Sequence, residues 1–285
     1  MLDLTNKNID ESARSLGPKM QRMVGRGFAD LQVRAGRVRL KGLHQSGSAK
    51  VFLPSVHAPM PEVVFLNTAG GVTGGDHISY ELNVGANASA TATTQTAERA
   101  YESSAGTGLI DVSLTVAEGA RLDWLPQETI LFQGSNVRRK TIVDLATDAR
   151  FLMVETIVLG RAAMGETLTD ACFADWREVR RNGAPVWIEP FGFDARVLGN
   201  PASSVTLAQS KAISTIGYFA TGAEDAVTPI RRAIEGIEGV TIAASGWNGK
   251  AVVRLMAADA WPLHRALAKI LSVIRTEPLP RVWQK

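Results

Sequence analysis

One device recurs three times in the middle of the chain and limits what it can fold into. Val84-Gly-Ala-Asn87-Ala88, Val116-Ala-Glu-Gly119-Ala120 and Leu145-Ala-Thr-Asp148-Ala149 share a form: an apolar strand end, then Asn, Gly or Asp three residues on, then Ala. Asn, Gly and Asp tolerate the left-handed backbone that a tight turn requires. Each device closes a run of period two. Ile78, Tyr80, Leu82 and Val84 alternate, as do Ile110, Val112, Leu114 and Val116, and more loosely Ile142-Val143 and Leu145. The closing alanines are 32 and then 29 residues apart, so the unit is strand–turn–strand, repeated. Stacked units of this kind build a layered or helix-like β scaffold. The small side chains of Ala86, Ala88, Ala90 and Ala92 let two β layers approach closely.

The flanking segments fit around this body. Residues 1–24 read as a flexible polar arm, broken at Gly17-Pro18. From Phe28 the period becomes two, with a hairpin predicted across Ala35-Gly36-Arg37 and further strands at Val51–Leu53 and Val63–Leu66. The β-rich body spans 25–220. Residues 221–285 then read α-β-β-α. A helix starts with Thr228 as N-cap and Pro229 behind it, presents Ile230, Ala233, Ile234 and Ile237 on one face, and closes at Gly239. Two strands, Val240–Ala244 and Ala251–Met256, meet at a Gly246–Gly249 turn. A second helix follows from an Asp259 N-cap, with Leu263, Leu267, Ile270, Leu271 and Ile274 as its stripe and Pro278 and Pro280 ending it. The fold class is therefore mainly β, with two C-terminal α-helices.

Several chemistries are excluded or disfavoured by residue type and spacing. Gly70 to Gly75 has the glycine spacing of a phosphate loop, but Asp76 stands where that loop needs Lys, and an alternating strand follows instead of a helix. The reading is a tight multi-glycine turn. A net charge of +3, with Arg138-Arg139-Lys140, Arg180-Arg181 and Arg231-Arg232 short and scattered, argues against nucleic acid and for solvated strand ends and a helix face. The one cysteine, Cys172, has no disulfide partner and lies among Asp170, Phe173, Asp175 and Trp176, which predicts a buried, unreactive thiol. His44, His57, His77 and His264 lie too far apart for a closed metal cage. The N-terminus lacks the apolar core of a signal peptide and no window spans a membrane, so a cytoplasmic location is expected.

The carboxylates hold more interest. Asp76, Glu98, Glu128, Glu155 and Glu166 all lie beside apolar or glycine-rich segments. Glu155, inside Phe151–Leu159, is either on a solvent face or buried and paired, with Arg99 or Arg161 as candidate partners. The functional alternative is a set of inward carboxylates lining a polar passage that holds a divalent cation weakly.

Five strings resemble one family, the urease accessory protein UreD, also called UreH. They are LNTAGGVTGGD (66–76), TTQTAERAY (93–101), LDWLPQETILF (122–132), GRAAMGE (160–166) and PRVW (280–283), in the family's order from about Arg26 onward. The family usually carries Pro-Gly-Gly where this chain has Ala69-Gly70-Gly71. The resemblance implies a non-enzymatic protein that joins UreF and the GTPase UreG, docks on apo-urease and supports GTP-dependent nickel insertion. It implies a β-rich body carrying two helices, no tightly bound cofactor, and nickel in transit. Carried over by position, Asp76 and Glu166 match family acidic residues; with Glu155 they are the expected tunnel-lining or interface groups. The apolar helix stripes are expected to pack on the β body and in part to serve UreF. The alternatives from other classes are a β-cleft enzyme and a ligand-binding module, each acting on a small polar substrate.

Overall fold

The computed structural model describes residues 21–55 and 60–284. The arm expected at 1–24 lies outside these residues up to position 20, and Val24 already opens the first strand. β1 (Val24–Arg34) and β2 (Arg37–Gly47) form the expected hairpin, with Ala35 (φ 48°) and Gly36 (φ 72°) both left-handed. Two left-handed residues match the twist of the strands they join. β3 (Ala49–Phe52) and β4 (Glu62–Asn67) pair antiparallel.

The middle of the chain winds in coils. β5 (His77–Val84), β6 (Ser89–Thr94) and β7 (Glu98–Ala100) make the first. β8 (Gly108–Val116), β9 (Arg121–Trp124) and β10 (Thr129–Leu131) make the second. β11 (Asn136–Leu145) and β12 (Arg150–Leu159) make the third, and β13 (Cys172–Arg181) leads into a hairpin with β14 (Ala184–Phe193). α1 (Ala195–Leu198) and β15 (Ala212–Phe219) follow, then α2 (Val227–Ile234), β16 (Val240–Trp247), β17 (Lys250–Ala257) and α3 (Ala260–Ile274).

Two sheets face each other. One runs β14-β13-β11-β8-β5-β1-β2; the other runs β16-β17-β15-β12-β9-β6-β4-β3. Their central strands are parallel and antiparallel hairpins close both ends. The register repeats the alanine spacing: His77 lies beside Leu109, 32 positions on, and Gly108 beside Val137, 29 on. Ser89 beside Arg121 and Arg121 beside Arg150 give the same two steps on the second sheet. The mainly β, helix-like scaffold read from the repeat is thus the observed fold.

The repeated turns stack. Asn87 (φ 58°) and Gly119 (φ 64°) are left-handed, and the Asn87 N–H donates to the Glu118 carbonyl at 2.9 Å. Asp148 departs from the expected device. It keeps an ordinary backbone and its Oδ1 accepts the Gly119 N–H at 2.8 Å, so a side chain ties the last turn to the one before. Ala88, Ala90 and Ala92 are fully buried between the layers, whereas Ala86 is exposed in its turn.

Two apolar clusters share β12. Phe151, Met153 and Ile157 point between the sheets, and Leu152 and Val154 point outward onto α2 and α3. Leu263, Leu267, Ile270 and Leu271 of α3 are buried there, each contributing about 1.5–3 kcal/mol. The Asp259 cap forms as expected, accepting from the Trp261 N–H at 2.7 Å. The Thr228 cap does not. α2 begins at Val227 behind a short 3-10 turn, which leaves Pro229 in the first helical turn where its missing N–H costs nothing. α2 ends at Ile234, ahead of the left-handed Gly236 and Gly239. The β16–β17 turn is shorter than expected, only Asn248 and Gly249. No helix among the described residues is long and apolar enough to cross a membrane.

Candidate functional site

The three carboxylates singled out from the sequence stand in different surroundings. Asp76 ends the glycine-rich crossover from β4 to β5. It is buried; Oδ1 accepts the Met23 N–H at 2.8 Å and Oδ2 the Thr73 N–H at 2.9 Å, which clips the loop to the start of β1. The loop is pressed onto β7: the Val72 N–H donates to the Arg99 carbonyl at 2.7 Å, and Tyr101 N–H to the Val72 carbonyl at 2.8 Å. Gly71 packs directly against Tyr101 and the Arg99 carbonyl, and Gly74 against Ser103 and the Ala105 carbonyl, leaving no room for a Cβ.

Glu166 is likewise engaged. Arg161 forks onto it at 3.0 Å through Nε and Nη2, and the backbone N–H groups of Arg161 and Gln133 add bonds of 2.8 and 3.2 Å. The Arg161 hydrogen bonds hold the Glu166 carboxyl down at about 2. The guanidinium also lies 4.5 Å over the Phe132 ring.

Glu155 is the interior carboxylate, and its partner is Arg139 at 2.7 Å. Neither expected arginine reaches it. Arg161 is committed to Glu166, and Arg99 reaches the Gly70 carbonyl at 3.4 Å. The reading of Arg138-Arg139-Lys140 as a solvated strand end also fails at its middle residue, which is 5% exposed. The cause is strand parity. Val137, Arg139, Thr141, Val143 and Leu145 alternate inward, so Arg139 occupies the row that holds Ile78 and Ile110 in the preceding coils.

From Arg139 onward the inward rows turn from apolar to charged. Arg139 grips Asp175 at 3.0 and 2.6 Å, Arg177 meets Asp175 at 2.7 Å and Glu189 at 2.8 Å, and Arg254 reaches Glu189 at 2.6 Å from a half-exposed position. Three guanidiniums thus balance Glu155, Asp175 and Glu189. Trp124 Nε1 donates to Glu155 at 3.0 Å. Burial pushes the Glu155 carboxyl up against the pull of Arg139. Burial acts on Asp175 as well, but Arg139 and Arg177 outweigh it and hold that carboxyl low.

Beside this row lies a cavity of about 30 Å³, lined by Glu98, Glu155, Arg139, Trp124, Tyr80 and Thr129. That is room for a water molecule, with Ile110, Val112 and Pro126 forming the apolar part of the wall. Glu98 also borders a second, smaller space on its Asn67 side. Asn67 Nδ2 donates to it at 3.1 Å, yet burial pushes its carboxyl up to about 7. Glu98 therefore changes charge near neutrality. The folded state holds its proton above the ordinary 4.5, so stability falls as pH rises from about 4.5 to 7. Glu98→Gln is expected to remove that slope and to stabilise the protein by about 1–3 kcal/mol at pH 8. Urea unfolding at pH 5 and pH 8 checks it, and an unchanged slope contradicts it.

The three chosen carboxylates are not brought together. Among the described residues no group of three or more His, Cys, Asp and Glu is placed to hold a metal ion. His77 bonds Asp111 at 2.7 Å, and His57 lies outside the described residues. Cys172 is exposed, contrary to expectation, because β13 alternates and Phe173, not Cys172, takes the inward position.

Residues 25–284 match the family model described as UreD urease accessory protein. The chain is 53% identical over 272 residues to "Urease accessory protein UreD" of Dinoroseobacter shibae, covering 95% of each chain. It is 49% identical to the protein of that name in Cereibacter sphaeroides (strain ATCC 17025), over 93% of this chain and 96% of the relative. Against that of Rhizobium leguminosarum bv. trifolii it is 41% identical, over 94% and 97%.

Proposed function

The chain belongs to the UreD family of urease accessory proteins, non-catalytic factors of urease maturation, and from that premise we propose that it is a scaffold and nickel conduit in a cytoplasmic complex with UreF and the GTPase UreG on apo-urease. The observation that carries the conduit is the set of ionisable groups inside the β body. Glu98, Glu155 and Arg139 border one small cavity whose other walls include Ile110 and Val112 of the repeat. Carboxylate oxygens suit a cargo that must be released: they bind a divalent ion weakly when few and dispersed. Asp76 and Glu166 join the passage at its loops, and each takes nickel by giving up protein donors it already holds. Asp76 in the position of a phosphate-loop lysine agrees with GTP being handled by another chain.

The direct test is activation of apo-urease with nickel, GTP, UreF and UreG, with and without this chain. Equal activation in both arms refutes the role. For the conduit, Glu155→Gln and Glu166→Gln are compared by nickel per urease active site. Loading is expected to fall severalfold with the complex still assembled, and wild-type loading in both removes these carboxylates from the passage.

The stripe of α3 is spent on the β body, which leaves a different surface for UreF. Trp261 is 59% exposed at the start of α3 and borders an apolar groove of about 300 Å³ with Leu267, Val158 and Trp283. A tryptophan of this kind carries at least about 2 kcal/mol where it docks. Trp261→Ala is expected to cut UreF retention at least about tenfold. Full retention in a pull-down excludes the groove.

A further inference from the structure

Two cations occupy inward strand positions that the repeat fills elsewhere with apolar side chains. On the first sheet the row Val84, Val116, Leu145 continues into Arg181, which pairs with Leu145. On the second, Phe151 and Phe219 continue into Lys250. Arg181 and Lys250 line one cavity of about 370 Å³ at the turn end of the sandwich, together with Val186 and Phe219.

These cations differ from the rest of the interior. Arg139, Arg177 and Arg275 each meet a carboxylate. Arg181 and Lys250 form no ion pair among the described residues. Arg181 Nη1 is held by the carbonyls of Ala146, Thr147 and Ala149 at 2.7, 2.7 and 3.1 Å, which fixes the guanidinium while its Nε and Nη2 make no hydrogen bond among the described residues. Lys250 is 6% exposed, and its Nζ has long hydrogen bonds of 3.5 and 3.4 Å to the Trp247 and Asn248 carbonyls and a cation–π contact with the Trp247 ring, but no carboxylate partner. Glu224 lines the cavity too, but its Oε2 accepts the Gly249 N–H at 3.1 Å. Asp148 near Arg181 is likewise turned to a backbone donor, the Gly119 N–H, so neither carboxylate closes an ion pair with its cation and both positive groups keep donor capacity facing the cavity. Burial pushes both cations' pKa values down, and the pull of Asp148 on Arg181 and of Glu224 on Lys250 does not offset it.

We propose that this cavity binds a small oxyanion, a carboxylate or a phosphate, between Lys250 Nζ and the Arg181 guanidinium. Planar guanidinium and point-like ammonium on facing walls suit such a group. The site is separate from the carboxylate row and does not depend on nickel.

Trp247 supplies a reporter, since its ring centroid lies 5.1 Å from Lys250 Nζ. The full chain is titrated with sodium phosphate or sodium acetate, at ionic strength held constant with chloride, while tryptophan fluorescence and the thermal midpoint are followed. A saturable response to either anion is expected, and which arm responds identifies the ligand group. Lys250→Gln is expected to weaken it at least about tenfold. Trp247→Phe should lose the fluorescence change and keep the thermal shift. Responses equal to chloride alone, or wild-type saturation in Lys250→Gln, overturn the proposal. Should that variant fail to fold, Arg181→Lys, which keeps the charge and loses the fork, is read by the same criterion.

Discussion

Arg139→Met is expected to cost about 3–5 kcal/mol of folding stability. The substitution fills much of the same space, so packing is not what it removes. It leaves Glu155 and Asp175 facing a low-dielectric interior with one guanidinium, Arg177, where there were two. Replacing a whole buried ion pair by apolar groups is often tolerated, but removing one member strands the other. Arg139→Met with Glu155→Gln should therefore recover part of the loss, because Asp175 keeps Arg177 and the stranded charge is gone. The deficit also has a pH sign. The Asp175 carboxyl is held low in the folded state, so its contribution is present above the unfolded value and fades as pH falls through the folded one. The variant has lost part of that term, and its deficit should narrow in acid. A loss under about 1 kcal/mol by urea unfolding would show the row to be hydrated rather than buried.

Gly71→Ala is the second large effect, about 3 kcal/mol, and it comes from sterics alone. Gly71 does not need left-handed backbone; a Cβ there meets the Tyr101 ring and the Arg99 carbonyl. Neither can move without breaking the Val72 bridge that lays the loop on β7. Gly70→Ala is the matched control. Nothing lies near its missing Cβ, but φ is 78°, so it should cost only about 1–2 kcal/mol. Equal thermal shifts in the two variants would mean that the loop is not held against β7 in solution.

The repeat was legible because one spacing did two jobs. The distance between alanines is also the pairing offset between coils, so a pattern of small residues reported strand register. Hairpin turns and the Asp259 cap were legible for a similar reason: each needs a residue type that few alternatives satisfy. The carboxylate site was less so. Composition makes Arg139 part of a basic run, whereas its parity with Val137 and Val143 points it inward. Parity would have exposed Cys172 as well. The partner of Glu155 lay beyond sequence in principle. It depends on which strands of two facing sheets come opposite, and no local pattern encodes that pairing. The sequence marks Glu98 as one carboxylate among five, and what sets it apart, its place against Asn67, Tyr80 and Trp124, depends on strands far apart in the chain.

β12 belongs to both apolar clusters, and that has a consequence for cooperativity. A wall shared by two rooms cannot be removed from one of them alone. Detaching α3 would expose Leu152 and Val154 on the strand that also seats Glu155. The amides of β12 should therefore exchange with solvent only through global opening, as slowly as any in the protein, while the hairpin at β1–β2 opens locally. A partner gripping the α3 face and an ion beside Glu155 would then act on a single cooperative unit, each altering the exchange protection that the other experiences.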